Sequence, residues 1–82
     1  MKYMVICYAM HEKSVASCDM FANEKDAGEF LRNDMLDVYE EEVANLSEKN
    51  VQYELDDSLT EASVSSCHGE YEWTWQVVPV KE

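Results

Sequence analysis

Within EYEWTWQVV, residues 70–78, Tyr71, Trp73, Trp75 and Val77 occupy alternate positions, with Glu72, Thr74 and Gln76 between them. Successive side chains of an extended chain point to opposite faces, so this pattern describes a strand with one apolar side and one polar side. Two indoles and a phenol on one side need a cover of comparable size. The chain supplies one upstream, because Ala27, Phe30, Leu31, Met35 and Val38 recur at three- and four-residue spacing. That is the apolar stripe of a core-facing helix. The rings of residues 71–77 are therefore expected to pack beneath Phe30, Leu31 and Val38, not to stand as exposed partner anchors. Pro79 lacks an amide donor, which suits an edge strand and leaves an edge open for pairing with another chain.

The remaining elements follow from the same periodicities. KYMVICYAM, residues 2–10, is apolar at nearly every position and reads as a central strand covered on both faces. HEK at 11–13 is a turn, and SVASCDMF at 14–21 a returning strand with Ala16, Cys18 and Met20 on one face. Asn23 is placed to cap a helix whose first turn carries Glu24 and Asp26, where the helix dipole favours acids. The helical pattern runs to about Lys49, with Tyr39, Val43 and Leu46 extending the stripe. Asp34 and Glu42 fall close to that stripe and predict a bend, shift or break near Tyr39–Glu42. Gly28 costs a helix about 1 kcal/mol relative to Ala and marks a close approach to the sheet.

Residues 50–61 admit strand, loop or short helix: VQYEL alternates, DDS reads as a turn, and Ser58 with Glu61 resembles a capping box. Residues 61–67 alternate with Ala62 and Val64 inward, and His68–Gly69 form a turn before the last strand. The expected fold is a single α+β domain over residues 1–82, a two-layer sandwich. Its four- to five-stranded, mainly antiparallel sheet runs in the order ββα and then two or three strands. One long acidic helix crosses one face.

Eighteen Asp and Glu against six Lys and Arg leave a formal net charge of −12. Such a field repels phosphate, so direct binding to nucleic acid or to anionic lipid is disfavoured, and encounter with basic protein surfaces is favoured. Three cysteines, Cys7, Cys18 and Cys67, form neither an even set nor a CxxC pair, which suits free thiols and a cytoplasmic location. VASC at 15–18 resembles a lipoprotein cleavage box, but His11, Glu12 and Lys13 would interrupt the apolar segment before it.

Most site chemistries find no pattern. With Gly28 and Gly69 the only glycines, there is no phosphate-cradling loop. Cys7, Cys18, His11, Cys67 and His68 lack zinc-ligand spacing, and DDSLTE lacks the turn glycine of a calcium loop. Cys67 and His68 are adjacent, which on a strand sends them to opposite faces and works against a nucleophile–base pair. The expectation is a protein without catalytic residues, metal or cofactor.

The acidic helix is what remains. Nine carboxylates lie between residues 24 and 48, with only Lys25 and Arg32 as nearby opposing charges. Such a helix is about 37 Å long, giving a carboxylate roughly every 4 Å of its axis, against a phosphate about every 3.4 Å along one DNA strand. In composition the chain resembles small acidic proteins encoded by phages and mobile elements, some of which inhibit host nucleases. The expected function is inhibition of a nucleic-acid-binding protein by nucleic-acid mimicry, of anti-CRISPR or anti-restriction type. Asp34, Asp37, Glu40, Glu41 and Glu42 on the helix and Glu70 and Glu72 on the sheet are the candidate partner-binding residues. The alternative is a structural or assembly module that forms a homodimer through a sheet edge.

Overall fold

The computed structural model describes residues 1–45 and 50–81. It comprises β1 (Lys2–Ala9), β2 (Ser14–Phe21), α1 (Glu24–Asn45), β3 (Gln52–Leu55), β4 (Glu61–Ser66) and β5 (Tyr71–Val80), with a 3₁₀ turn at Cys67–Gly69. The strands form one antiparallel sheet in the order β2-β1-β5-β4-β3, and α1 packs across one face. This is the expected α+β two-layer sandwich. Residues 50–61 resolve as strand and turn, and the last strand before the 3₁₀ turn alternates with Ala62, Val64 and Ser66 buried.

Alternation decides which side chains meet the helix. Tyr3, Val5, Cys7 and Ala9 pair with Pro79, Val77, Trp75 and Trp73, and Ala62 and Val64 follow on the other side of β5. With Ala27, Leu31 and Met35 from the helix they enclose the core, in which Trp75 is 1% exposed. Fully burying one such large apolar side chain is worth about 1.5–3 kcal/mol. Trp73 and Val77 pack at the periphery, and Phe21 meets Phe30 at a ring distance of 5.0 Å.

The last strand lies in the middle of the sheet, contrary to the edge position that Pro79 suggests. β5 pairs with β1 on one side and β4 on the other, leaving β2 and β3 as the edges. The proline is tolerated because β4 is too short to reach it. The Val77 amide donates toward Thr60 O at 2.8 Å, the last bond on that side. The nitrogen of Pro79, two residues on, faces the same way past the end of β4, where no ladder bond is required.

The central strand is also covered on one face only. Met4, Ile6 and Tyr8 point away from the helix, and no described element lies over them. A register shift between Cys7 and Tyr8 pairs Cys7 with Ser17 and Tyr8 with Val15, so Ala16 is the extra residue of a β-bulge. Cys18 and Met20 do share a face, the uncovered one, but Val15 and not Ala16 lies beside Tyr8. The uncovered face of β2, β1 and β5 thus carries three cross-strand rows, Met20–Met4–Val78, Cys18–Ile6–Gln76 and Val15–Tyr8–Thr74.

Asn23 caps the helix in both directions. Its Oδ1 accepts the Asp26 amide at 2.8 Å, and its Nδ2 donates to Asp26 Oδ2 at 3.1 Å. The helix then runs continuously to Asn45, without the break allowed for near residues 39–42. Val43 is 43% exposed and does not extend the core stripe, whereas Tyr39 meets Tyr53 at 4.8 Å. Leu46, Glu48 and Lys49 lie outside the described residues. Gly28 marks a close approach to the β3–β4 loop instead of the sheet: a Cβ there would sit 3.0 Å from Leu59 Cβ and 3.3 Å from Leu59 O.

Candidate functional site: the acidic face of the helix

Two of the helix carboxylates turn inward. Asp34 Oδ2 accepts the Trp75 indole N–H at 2.8 Å, and Glu42 Oε1 accepts the Ser66 hydroxyl at 2.8 Å. Both residues are half-buried. At about 100° per residue, Glu42 lies within the arc occupied by Ala27, Leu31 and Met35, and Asp34 at its border. The sheet supplies donors at those two points, and this is why the helix continues past them. Asp34 and Glu42 are thus internal acceptors between the layers, not outward partner contacts.

The opposite side of α1 is a different environment. Asp26, Glu29, Asn33, Asp37 and Glu40 fall within an arc of about 80° centred away from the core, and all five are exposed. Glu41 is exposed beside Asp37. Among the described residues no Lys or Arg forms an ion pair with a carboxylate, so the charge of this face is uncompensated by direct contact. From Asp26 to Glu40 the axial rise is about 21 Å. Four carboxylates over that length give about one per 7 Å, half the axial density of a DNA strand. The nine acids of the segment overstate what one surface presents, because Asp34 and Glu42 face inward and Glu48 lies outside the described residues.

The two sheet candidates lie elsewhere. Glu70 is exposed in the turn after Gly69, at the end of the sheet that the Ser66–Glu42 bond ties to the helix. Glu72 is half-buried on the uncovered sheet face, where it lines an open concavity of about 1090 Å³ with Glu54, Glu61, Ser63, Thr74 and Gln76. Seven candidate residues therefore divide among the outer helix face, the layer interface, one turn and the far side of the sheet. Asp26 and Glu29 join Asp37 and Glu40 on the outer stripe. Their spacing of three and eight residues would have shown this, had the helix been read as one face in place of a run.

The titratable residues with catalytic potential are dispersed. Cys7 is buried on the helix side, and Cys18 is exposed on the opposite sheet face, so the two thiols do not meet. Burial, with a smaller contribution from the Asp34 carboxylate, pushes the Cys7 thiol up to about 12. His11 stacks edge-on against Trp73 and Tyr71 at 4.8 and 5.2 Å, and its Nδ1 lies 3.2 Å from Glu72 O. Its position is explained by covering the end of the aromatic row. Cys67, His68 and Gly69 all adopt left-handed backbone conformations, with φ of 55°, 58° and 91°. Among the described residues no three His, Cys, Asp or Glu side chains converge as metal ligands.

Asp56 clasps the β3–β4 loop. Its carboxylate accepts the Thr60 hydroxyl at 2.6 Å, the Thr60 amide at 2.7 Å and the Glu61 amide at 3.0 Å. These bonds, the Thr60 hydroxyl first, hold its pKa below the ordinary 3.8. The same loop presents Leu59 to Gly28, so the Asp56 carboxylate of DDSLTE serves the loop itself.

No helix among the described residues is long and apolar enough to cross a membrane. Comparison of the chain with protein-family models, with curated proteins and with solved structures finds no match.

Proposed function

We propose that this is a non-enzymatic cytoplasmic protein that inhibits a nucleic-acid-binding protein by occupying its basic surface, in the manner of an anti-CRISPR or anti-restriction mimic. The observation that supports it is the outer stripe of α1, in which Asp26, Glu29, Asp37 and Glu40 stand exposed on one face and Glu41 flanks them. A rigid helix presents these charges without a backbone ordering cost on binding, and the Asn23 cap and the buried stripe below hold it in place. The net charge of −12 accelerates encounter with a basic groove and disfavours nucleic acid as the direct ligand. At half the axial charge density of one DNA strand, the stripe suits a short basic groove better than a long duplex channel.

The test is capture from a host lysate on immobilised protein at low salt, followed by elution with duplex DNA or with RNA. A mimic yields a captured nucleic-acid-binding protein that the nucleic acid displaces. Retention unaffected by excess DNA and RNA would count against the reading.

A further inference from the structure

We infer that Met4, Cys18 and Met20 form a surface site for a soft monovalent metal ion, with one thiolate and two thioether ligands, and that its biological ion is Cu(I). Met4 stands directly opposite Met20 on the uncovered sheet face, and Cys18 stands opposite Ile6 in the adjoining row. Cys18 and Met20 are two residues apart on β2 and therefore share that face. Cys18 is exposed, Met20 is 49% exposed and Met4 is half-buried, so the cluster is open to solvent.

The register brings the three sulfurs within reach of one ion. Side chains directly opposite each other across an antiparallel pair start about 4.5–5.5 Å apart, and diagonal neighbours such as Met4 and Cys18 about 7–8 Å. Cys18 and Met20 close the triangle at about 6.6 Å along the strand. Each methionine is unbranched and has three rotatable bonds. Both thioethers can therefore turn toward the short thiol without movement of the backbone.

The donor set selects the ion. Thiolate and thioether together favour Cu(I). The other members of the two rows are Ile6, Gln76 and Val78, so a zinc ion finds neither the imidazole nor the carboxylate nor the second thiolate that it takes. Charge points the same way. One thiolate and one monovalent cation make a neutral centre, whereas a divalent ion would keep a positive charge beside Lys2, the next residue of β1 on this face. The net charge of −12 raises the local concentration of any cation. Binding breaks the Cys18 S–H bond, forms the Sγ–metal bond and releases one proton to water, with no change of oxidation state at metal or sulfur. The other thiols are elsewhere: Cys7 is buried on the helix side, and Cys67 lies in the 3₁₀ turn before Tyr71, at the opposite end of β5 from Val78. The site is separate from the acidic stripe of α1 and does not rest on the proposed function.

Titration of the full chain with Cu(I) under anaerobic conditions, in competition with a chromophoric Cu(I) chelator, tests it. The wild type should hold one ion per chain and release one proton as it binds. Cys18→Ser should weaken binding by at least about a hundredfold, and Met4→Leu with Met20→Leu by at least about tenfold, while Cys67→Ser leaves it unchanged. Leucine is close to methionine in volume, and the urea midpoint shows that each variant is folded. A second readout uses redox-inert Ag(I) and isotope-labelled methionine methyl groups in NMR. The Met4 and Met20 signals should shift, and those of Met1, Met10 and Met35 should not. Wild-type affinity in the double methionine variant would reduce the site to a lone thiol and overturn the inference. So would unmoved Met4 and Met20 signals, a loss of binding in Cys67→Ser, or one ion per two chains, which would mean a bridge between Cys18 thiols of two molecules.

Discussion

The indole Nε1 of Trp75 donates to Asp34 Oδ2 at 2.8 Å across the helix–sheet interface. This bond removes Asp34 from the acidic surface and satisfies a donor on a side chain that is 1% exposed. Asp34→Ala leaves the indole N–H without its acceptor and should cost about 1–3 kcal/mol. Asp34→Asn keeps an oxygen at the same position and should cost less than Asp34→Ala. Urea denaturation followed by tryptophan fluorescence measures both. Equal losses for the two variants would mean that the bond is not the source of the effect.

Gly28 and Leu59 define the tightest contact between helix and loop. In a free helix Gly→Ala gains about 1 kcal/mol. Here the new methyl meets the backbone and Cβ of Leu59, which itself holds a φ of 57°. Gly28→Ala is expected to destabilise by about 1–3 kcal/mol net. In the Leu59→Gly background the 3.0 Å contact and the left-handed strain disappear and only the 3.3 Å approach to the carbonyl of residue 59 remains, so Gly28→Ala should cost less there than in the wild type. A double-mutant cycle reads that coupling, and additive effects would contradict the contact.

Asp56 links the β3–β4 loop to acid. Its folded pKa lies below its ordinary 3.8, so the charged form is favoured in the folded state. The stability it adds is fully present above the unfolded pKa and is lost as pH falls through the depressed folded value. Asp56→Asn should therefore flatten the decline in stability below about pH 4. The measurement is the urea midpoint across the acid range. An unchanged slope in the variant would rule out Asp56 as a contributor.

Cys7 and Cys18 should differ sharply in reactivity. Cys18 is exposed, whereas Cys7 is buried with its thiol pushed up from 9.0 to about 12. Only thiolate reacts, so at pH 8 a maleimide or disulfide reagent should modify Cys18 promptly. Cys7 should react at least about a hundredfold more slowly, at a rate limited by opening of the core. Peptide mapping of the labelled chain distinguishes the sites, and prompt labelling of Cys7 would contradict its position beneath the helix.

Much of this architecture was legible in the sequence because two periodicities carry it. Alternation through Trp73 and Trp75 fixed the buried side of β5, and three- and four-residue spacing fixed Ala27, Leu31 and Met35 on the covering helix. What failed depended on pairing partners far along the chain. Pro79 signalled an edge because its tolerance rests on the length of β4, which no local pattern shows. Met4, Ile6 and Tyr8 implied a second cover because periodicity reports apolar faces without saying which molecule covers them. Asp34 and Glu42 counted as surface acids because their donors, Trp75 and Ser66, lie 41 and 24 residues away. The acidic site therefore contracted to the outer stripe, where helical phase alone decides exposure.

That stripe is tested most directly by removing its charge without changing its shape. Asp26→Asn, Glu29→Gln, Asp37→Asn and Glu40→Gln together leave the core-facing side of α1 intact and remove four negative charges. Binding of wild type and variant to the captured nucleic-acid-binding protein is compared by titration at low and physiological salt. The expected result is at least a tenfold loss of affinity at low salt and a shallower salt dependence, with an unchanged urea midpoint. Wild-type affinity and salt dependence in the variant would contradict the assignment of the helix face as the binding surface.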